Sequence, residues 1–339
     1  MLNKTMNHTV SSLGIGYRAV QEKPGVSYQF LVLTLALIYG GLLASMPLDV
    51  FSDRVNYLNY AENSLHILEG YWAISPLTGL VNEPLWLLIN AGLAMLFSPE
   101  MVLRLIIFVP ASLVAWNVLR QDSRQFIWLL LFLLLPQVID NHIVHLRQGM
   151  AVAVFLTGWF TASRSLRWLM LVATSFIHAA FFFILTLLVL AGIARRLRLA
   201  ADLRTLLFIG FGLGVGGVLG WLASFLSARQ ANEYAFSITG VSGLGFIFWG
   251  MVLGVMCLQG QAFMRRHAFE LGVIAFYLTT YFLIEVTGRI FESALLLVLL
   301  AGLRLTDWRR VAFLALIISY GVLQYAFKIN EPWIGLAAQ

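Results

Sequence analysis

Long apolar runs follow one another through most of this sequence, and they constrain the fold more than any other feature. A helix needs about 20 predominantly apolar residues to cross a bilayer, and the longest runs reach that length. Hydrocarbon offers no hydrogen bonds to an exposed backbone, so only helices and closed barrels cross it. Runs this long differ from the short alternating strands of a barrel and therefore predict transmembrane α-helices. The runs are 28–47, 83–97, 100–118, 126–139, 148–163, 167–193, 204–227, 243–260, 268–286, 289–304 and 309–325.

Composition excludes a water-soluble protein. Of the 339 residues, 60% are hydrophobic and 11% are charged, whereas soluble domains carry about 25% charged residues. We therefore predict an all-α fold, a polytopic transmembrane helical bundle of about 10–11 membrane helices, with re-entrant hairpins where a run has the wrong length to cross once.

The apolar runs divide the chain into a membrane domain with a tail at each end. We expect a cytoplasmic N-terminal tail over 1–27, a transmembrane domain over 28–325 and a C-terminal tail over 326–339. The first run begins too far along the chain, and is too long, for a typical cleaved signal peptide, so we interpret it as a signal anchor. Nearly all non-helical residues are predicted in three stretches, 48–82, 138–147 and 228–242.

Charged residues indicate which loops face the cytoplasm. The net charge of +6 comes from basic residues in short loops between the runs, a pattern that follows the positive-inside rule and does not suggest a nucleic-acid surface. The loop 48–82 is acidic and is predicted to lie outside. A single cysteine, Cys257, excludes an intramolecular disulfide. Cytoplasmic loops are predicted at Arg195, Arg196, Arg198 and Arg204, at Arg265 and Arg266, and at Arg304, Arg309 and Arg310.

Two runs are expected not to cross the membrane once. If every run crossed singly, the basic loops at 119–125 and 164–167 would lie outside, against the positive-inside rule. The conflict disappears if 83–97 dips into the membrane without crossing and 167–193 bends near His178. In that topology the segment 140–147 faces outward beside the loop 48–82.

The first polar cluster follows the first helix. A carboxylate just above the membrane surface can accept a proton from a sugar hydroxyl, and neighbouring Asn and Tyr side chains suit hydrogen bonding and stacking with sugars. The alternative is an exposed amphipathic helix in the loop. The cluster contains Asp49, Asp53, Arg54, Asn56, Tyr57 and Tyr60.

The second cluster lies between two strongly apolar runs. It contains Asp140, His142, His145, Arg147 and Gln148. Arginine suits bidentate contact with a phosphate, and a helix N-terminus adds a favourable dipole. A metal held by the two histidines and a purely structural turn are the alternatives, although a lone histidine pair is weak support for a metal.

Two further groups of ionisable residues interrupt apolar runs, where charges are costly and therefore candidates for function. His178 stands alone in its run and is either a functional group or a satisfied interior histidine. Glu285, Arg289 and Glu292 surround a turn. Glu285 and Arg289 are four residues apart, which suits either an ion pair or an arginine that binds a second phosphate.

Short motifs in this chain resemble the EpsG-like polysaccharide polymerases, which are related in function to the Wzy-type O-antigen polymerases. The resemblance covers roughly residues 28–295. It is carried, in chain order, by Ser-Asp-Arg-Val-Asn-Tyr at 52–57, Glu-Pro at 83–84, Leu-Arg-Gln-Gly-Met-Ala at 146–151, Phe-Ile-His at 176–178 and Gly-Arg at 288–289.

The resemblance implies a GT-C-like glycosyltransferase of the bacterial inner membrane, with an active site facing the periplasm. Such enzymes join undecaprenyl-pyrophosphate-linked glycans and need no cofactor and no metal. Asp53 or Asp49 would deprotonate the acceptor hydroxyl, while Arg147, Arg289 and His178 would contact the pyrophosphate. Glycan contacts are assigned to Arg54, Asn56, Tyr57, Tyr60, Glu83, Asp140, His142, His145, Gln148 and Glu285.

Other functions are weighed beside polymerisation. An O-antigen ligase, or another transferase that uses lipid-linked sugars, shares the lipid carrier and differs in its acceptor. A flippase or transporter for lipid-linked glycans is the alternative from another class, but the sequence lacks an internal repeat. Expected partners are lipid-linked glycans and membrane lipid, with a chain-length regulator and a flippase left open and nucleic acid excluded.

Overall fold

The computed structural model describes residues 25–48, 54–225 and 242–329. These residues fold into α-helices joined by short turns, which confirms the all-α class. The helices are α1 (Val26–Ala44), α2 (Arg54–Ile74), α3 (Pro76–Val81), α4 (Pro84–Ala94), α5 (Pro99–Leu119), α6 (Phe126–Leu133), α7 (Pro136–Ile143), α8 (Leu146–Phe160), α9 (Arg164–Ser175), α10 (Ala180–Arg196), α11 (Ala201–Phe225), α12 (Leu244–Cys257), α13 (Gln261–Arg266), α14 (Ala268–Thr280), α15 (Thr287–Glu292), α16 (Leu295–Gly302) and α17 (Asp307–Phe327).

Four helices in the described part of the chain are long and apolar enough to cross a membrane. They are α1, α5, the Ala201–Leu219 part of α11, and α17. The segments Ser123–Leu133 and Pro136–Ile143, bent by 63°, together form a fifth candidate span. The chain is therefore a polytopic helical membrane protein, although unbroken spanning helices are fewer than the predicted 10–11 because several apolar runs are divided between two helices.

The described residues form two compact units. The first comprises 25–48, 54–181 and 319–329, and the second comprises 182–225 and 242–318. In the first unit α1 packs antiparallel to α5, because Tyr28 near the start of α1 donates to the carbonyl of Leu119 at 2.7 Å, and Arg104 donates to the carbonyl of Ala44 at 2.7 Å.

The stretch 48–82 was predicted to contain many of the non-helical residues, with an amphipathic helix in the loop as the alternative, and most of it is helical. Helices α2 and α3 occupy it. Four residues of α2 are buried at helical spacing, namely Arg54, Tyr57, Ala61 and Ser64. One stripe of an otherwise polar helix therefore packs on α4. Packing of that stripe on α4 stabilises the helix, and the polar composition of the segment does not indicate this packing.

The run 126–139 is not a single helix, and the stretch 138–147 is largely helical. Proline inside a helix removes one hydrogen bond, and its ring clashes with the preceding turn, so it often kinks or ends the helix. The chain therefore breaks before Pro136 and restarts there as α7. The carbonyls of Leu133 and Leu134, freed by the break, accept hydrogen bonds from the hydroxyls of Tyr39 and Tyr325.

Two runs have the irregular form that the charge pattern predicted. Helix α4 has 11 residues and is about 16 Å long, too short for a hydrocarbon core of about 30 Å. The run 167–193 is interrupted between Ser175 and Ala180, and His178 lies in the interruption. The expected break near His178 is confirmed.

In the second unit α14 packs against α11, α12 and α13, and most of its residues are buried. The predicted runs 268–286 and 289–304 are shorter helices here. α14 ends at Thr280, and the hydroxyl of Thr287 donates to the carbonyls of Thr280 and Ile284 at 3.0 and 2.9 Å, which satisfies acceptors at the turn. The predicted non-helical stretch 228–242 lies almost entirely outside the described residues.

Candidate functional site

Two basic side chains from distant parts of the first unit meet at the buried carboxylate of Glu83. Arg147 Nη1 donates to Glu83 Oε2 at 2.5 Å, and His178 Nδ1 lies 2.9 Å from Glu83 Oε1. The backbone N–H of Ala179 also donates to Oε1, at 3.2 Å. We call Glu83, Arg147 and His178 the carboxylate cluster.

Glu83 takes a backbone conformation that favours glycine. Its φ and ψ are 60° and 50°, in the left-handed region, immediately before Pro84. That conformation costs a side-chain-bearing residue roughly 1–2 kcal/mol. Backbone N–H groups of Leu85 and Trp86, at the start of α4, donate to the carbonyl of Phe176. The chain thus ties α4 to the break after α9 and brings the Glu83 carboxylate to His178.

Arg147 lies in the first turn of α8, where it reaches Glu83 and the aromatic rings of α2. Its guanidinium carbon is 5.7 Å from the centroid of the Tyr60 ring, a cation–π contact. Its Nε is buried and makes no hydrogen bond. The start of α8 approaches α7 closely, because a Cβ on Gly149 would lie 2.0 Å from the carbonyl oxygen of Asn141.

Aromatic rings form one wall beside the cluster. The ring centroids of Tyr57 and Tyr60 lie 5.8 and 6.3 Å from that of Trp86. Tyr57 and Trp86 are almost fully buried, at 5% and 1% exposure, whereas Tyr60 is half-buried. Of the three rings, Tyr60 has the most surface for stacking with a sugar.

The hydrogen bond to Glu83 fixes the tautomer of His178. A carboxylate only accepts hydrogen bonds, so Nδ1 carries the hydrogen, and in the neutral ring Nε2 holds a lone pair. Nε2 is buried and has no hydrogen-bond partner. A histidine oriented in this way by a carboxylate can accept a proton at Nε2.

The charges of the cluster keep Glu83 ionised. Glu83 lies between α3 and α4, outside the spanning helices. Burial raises the pKa of its carboxyl, but the charge of Arg147 and the hydrogen bond from His178 have the larger, opposite effect. The pKa of Glu83 is therefore lowered to about 2. Glu83 therefore acts as an anion that holds two basic side chains, and it cannot be the group that donates a proton near neutral pH.

Several residues that were predicted to bind the glycan are not members of the carboxylate cluster. Arg54 is 2% exposed, and its Nε and Nη2 both donate to the carbonyl of Ile143 at 3.2 Å. It therefore caps the C-terminal end of α7, where carbonyls lack helical partners. This contact also brings the start of α2 beside the segment 140–147, as predicted. Asn56 is exposed on α2.

The second predicted cluster is distributed along α7 and α8. Asp140 forms an ion pair with Lys328. His142 and Gln148 are buried at 2% and 1% exposure, and His145 is half-buried. Neither ring nitrogen of His142 has a hydrogen-bond partner. Within the described ranges, three His, Cys, Asp or Glu side chains nowhere come together as metal ligands.

Glu285 and Arg289 belong to the second unit. Glu285 is exposed in the turn before α15, and Arg289 is half-buried within that helix. The ion pair between them, one of the two alternatives, is absent, since Glu285 pairs with no described residue. The reason is geometric: residues four apart face each other only when both lie in a helix, and α15 begins after Glu285.

Both predicted proton acceptors, Asp49 and Asp53, lie outside the described residues, and their role stays a prediction. Sequence reasoning missed Trp86 and Lys328. Trp86 stands three residues after Glu83, in the first turn of α4, and that spacing was the available signal. No signal near Lys328 indicated a partner in α7.

Comparisons with protein families, with characterised proteins and with solved structures gave no match to this chain. The resemblance to the polymerases and the GT-C-like arrangement therefore stay predictions.

Proposed function

We propose that this membrane protein is a glycosyltransferase that polymerises glycans carried on a polyprenyl pyrophosphate. The observation that supports the proposal best is the carboxylate cluster, which joins a positive charge and a proton acceptor in one buried site. The motifs that resemble the polymerases contain all three of its members, Glu83, Arg147 and His178.

The reaction requires two chemical roles. In the transfer, the bond between the anomeric carbon of the donor glycan and its phosphate oxygen breaks, and the same carbon bonds to a hydroxyl oxygen of the acceptor. The hydroxyl proton passes to a base, and polyprenyl pyrophosphate leaves as the anion. A group that stabilises the departing phosphate lowers the barrier, and so does a base in contact with the hydroxyl.

Arg147 suits the first role. Its side chain is 16% exposed, so a phosphate oxygen can contact the exposed part of the guanidinium while Nη1 remains on Glu83. Arginine matches phosphate geometry and stays charged in a membrane-facing site.

His178 suits the second role. Glu83 holds its ring with Nε2 unpaired, and the same carboxylate stabilises the imidazolium that forms when Nε2 takes the proton. Asp53 and Asp49 remain further candidates for the base. Tyr60, with Arg147 over its ring, is the proposed contact for the sugar.

The proposed location is the bacterial inner membrane, with the cluster facing outward. The acidic loop before α4 and the basic loops elsewhere support that orientation under the positive-inside rule. Lipid-linked glycans reach the site from the membrane, so no soluble donor is required.

The experiment is complementation of a strain that lacks this gene, with surface glycan separated on a gel. We expect the wild type to restore a ladder, and Arg147→Ala and His178→Ala to give single repeats when expression is adjusted so that the amounts of protein in the membrane match. Arg124→Ala, which removes an exposed charge outside the cluster, should restore the ladder. Normal ladders from both cluster variants would reject the proposal, and free lipid-linked polymer in the deletion strain would indicate a ligase.

A further inference from the structure

A second tyrosine, Tyr71, lies on the same edge of α2 as Tyr60. The two residues are 11 positions apart, which is close to three full turns of a helix. Their side chains therefore leave α2 in nearly the same direction, about 16 Å apart along its axis. Tyr71 is half-buried, as Tyr60 is, and neither is among the fully buried residues of α2. Part of each ring is accessible to a ligand.

Tyr71 is close enough to the carboxylate cluster to respond to its charges. Helix α2 is not among the candidate membrane spans. The pKa of the Tyr71 hydroxyl is raised, first by burial and then by the charge of Glu83, while the charge of Arg147 opposes the shift. Electrostatic interactions weaken with distance, and the guanidinium of Arg147 also lies over the ring of Tyr60. Both tyrosines therefore stand on the side of α2 that faces the cluster.

The surface of α2 between the two tyrosines is open and polar. Asn63 is exposed, and its Nδ2 donates to Asn59 Oδ1 at 2.8 Å. This bond orients the amide and leaves its oxygen able to accept from a ligand hydroxyl. Gly70 is exposed, and a Cβ there would meet no described atom within 4 Å. Glycine weakens a helix, and no described neighbour requires one here, so there is room for a sugar ring beside Tyr71.

The turn after α2 holds Tyr71 in place relative to the cluster. Its carbonyl accepts from the N–H of Ser75 at 3.4 Å, and the side chain of Ser75 caps the start of α3. The ring of Trp72 lies against Gly79 of α3, where a Cβ would meet it at 2.6 Å. Helix α3 ends two residues before Glu83. One short helix therefore links the position of Tyr71 to that of the carboxylate.

We propose that Tyr71 forms a second stacking subsite, so that the site binds an oligosaccharide that lies along α2 from Tyr60 to Tyr71. A sugar ring has an apolar face and polar edges. An aromatic ring packs on the face, and an amide such as that of Asn63 bonds the hydroxyls at the edge. The separation of about 16 Å exceeds one sugar ring, so the recognised substrate is an oligosaccharide repeat. The inference rests on the proposed function, because the cluster supplies the reacting end.

The dependence of binding on glycan length tests the subsite. Surface glycan of the host is partly hydrolysed, its fragments are separated by length, and the affinity of each for the purified full chain is measured by ligand-observed NMR. For the wild type, we expect affinity to rise until a fragment reaches both tyrosines. Tyr71→Leu keeps an apolar side chain without an aromatic face. It should weaken the binding of long fragments about threefold to tenfold and leave that of short fragments unchanged.

Two further variants control for effects on folding. Tyr71→Phe retains the ring and should bind fragments of every length as the wild type does. Leu65→Ala removes an exposed apolar side chain from another face of α2, and it should also leave binding unchanged. An equal loss for short and long fragments in Tyr71→Leu would mean a general disturbance of the site and would overturn a separate subsite.

The remaining outcomes distinguish the subsite from the proposed function. Wild-type affinity that does not rise with fragment length would overturn the subsite without reference to any variant. Unchanged binding of long fragments by Tyr71→Leu would overturn it as well, and Tyr71 would then be an anchor at the membrane interface. Both results leave the proposed function standing. A wild type that binds no fragment of any length would overturn the subsite and the proposed function together.

Discussion

The guanidinium of Arg147 lies 2.5 Å from a carboxylate oxygen of Glu83, although the two residues are separated by 64 positions in the chain. The same carboxylate binds His178, 95 positions further along than Glu83. One buried anion therefore orients two basic side chains with different chemical abilities, and its removal should affect both.

Removing only one member of the Glu83–Arg147 ion pair should lower the stability of the protein more than removing both members together. Glu83→Gln or Arg147→Met leaves a buried charge without its partner, which typically costs about 3–5 kcal/mol. The double variant should be less destabilised than the sum of the two, because it leaves no unpaired charge. Thermal unfolding in detergent measures this. Glu62→Gln, at an exposed position on α2, is the control, and simple additivity would contradict a coupled pair.

His178→Asn should separate the fold from the chemistry. The Asn amide can donate to Glu83 in place of Nδ1, so the unfolding temperature should stay close to that of the wild type. The variant lacks a group at Nε2, and transfer should fall by about 10²–10⁴-fold if Nε2 is the base. Polymer formation from purified lipid-linked repeat measures the rate. A fully active Asn variant would restrict His178 to a structural role.

Acid should destabilise the protein partly through Glu83. Its folded-state pKa of about 2 lies below the ordinary value of 4.5. The stabilisation is therefore complete above pH 4.5 and is lost as the pH falls toward 2. The difference in unfolding temperature between wild type and Glu83→Gln should be constant above pH 5 and should shrink as the pH falls below 5. The Glu62→Gln variant should follow the wild-type curve, and a constant gap between wild type and Glu83→Gln at every pH would contradict the shift.

Gly149→Ala should destabilise the junction of α7 and α8. The added Cβ would lie 2.0 Å from a backbone oxygen of Asn141, and overpacking of this kind costs about 1–3 kcal/mol. Gly41→Ala is the matched control, since a Cβ there meets no atom within 4 Å. It should be neutral or stabilising by up to about 1 kcal/mol. Similar unfolding temperatures for both variants would show that α7 can move away from α8.

Charge and length together predicted the irregular runs. The conflict with the positive-inside rule indicated that some runs do not cross singly, and their lengths identified 83–97, where α4 is short, and 167–193, which breaks at His178. Pro136 was visible in the sequence, yet the run around it was predicted as one helix because its hydrophobicity continues through the break. Proline is a local signal, and whether it kinks or ends a helix depends on groups such as Tyr39 and Tyr325 that accommodate the freed carbonyls.

The sequence by itself determined that this chain is a helical membrane protein, and it singled out Arg147 and His178 as ionisable residues beside or within apolar runs, whereas Glu83 was named through the resemblance to the polymerases. The hydrophobicity of a run is the sum over its residues, so apolar runs and the polar residues in them can be recognised without knowing the tertiary contacts. Only the tertiary structure decided which polar groups meet. It turned Arg54 inward to cap α7, paired Asp140 with Lys328 and left Glu285 without Arg289. The physical reason is that a buried charge is stabilised by the partner that packing brings within a few ångströms, and that partner is set by the arrangement of helices.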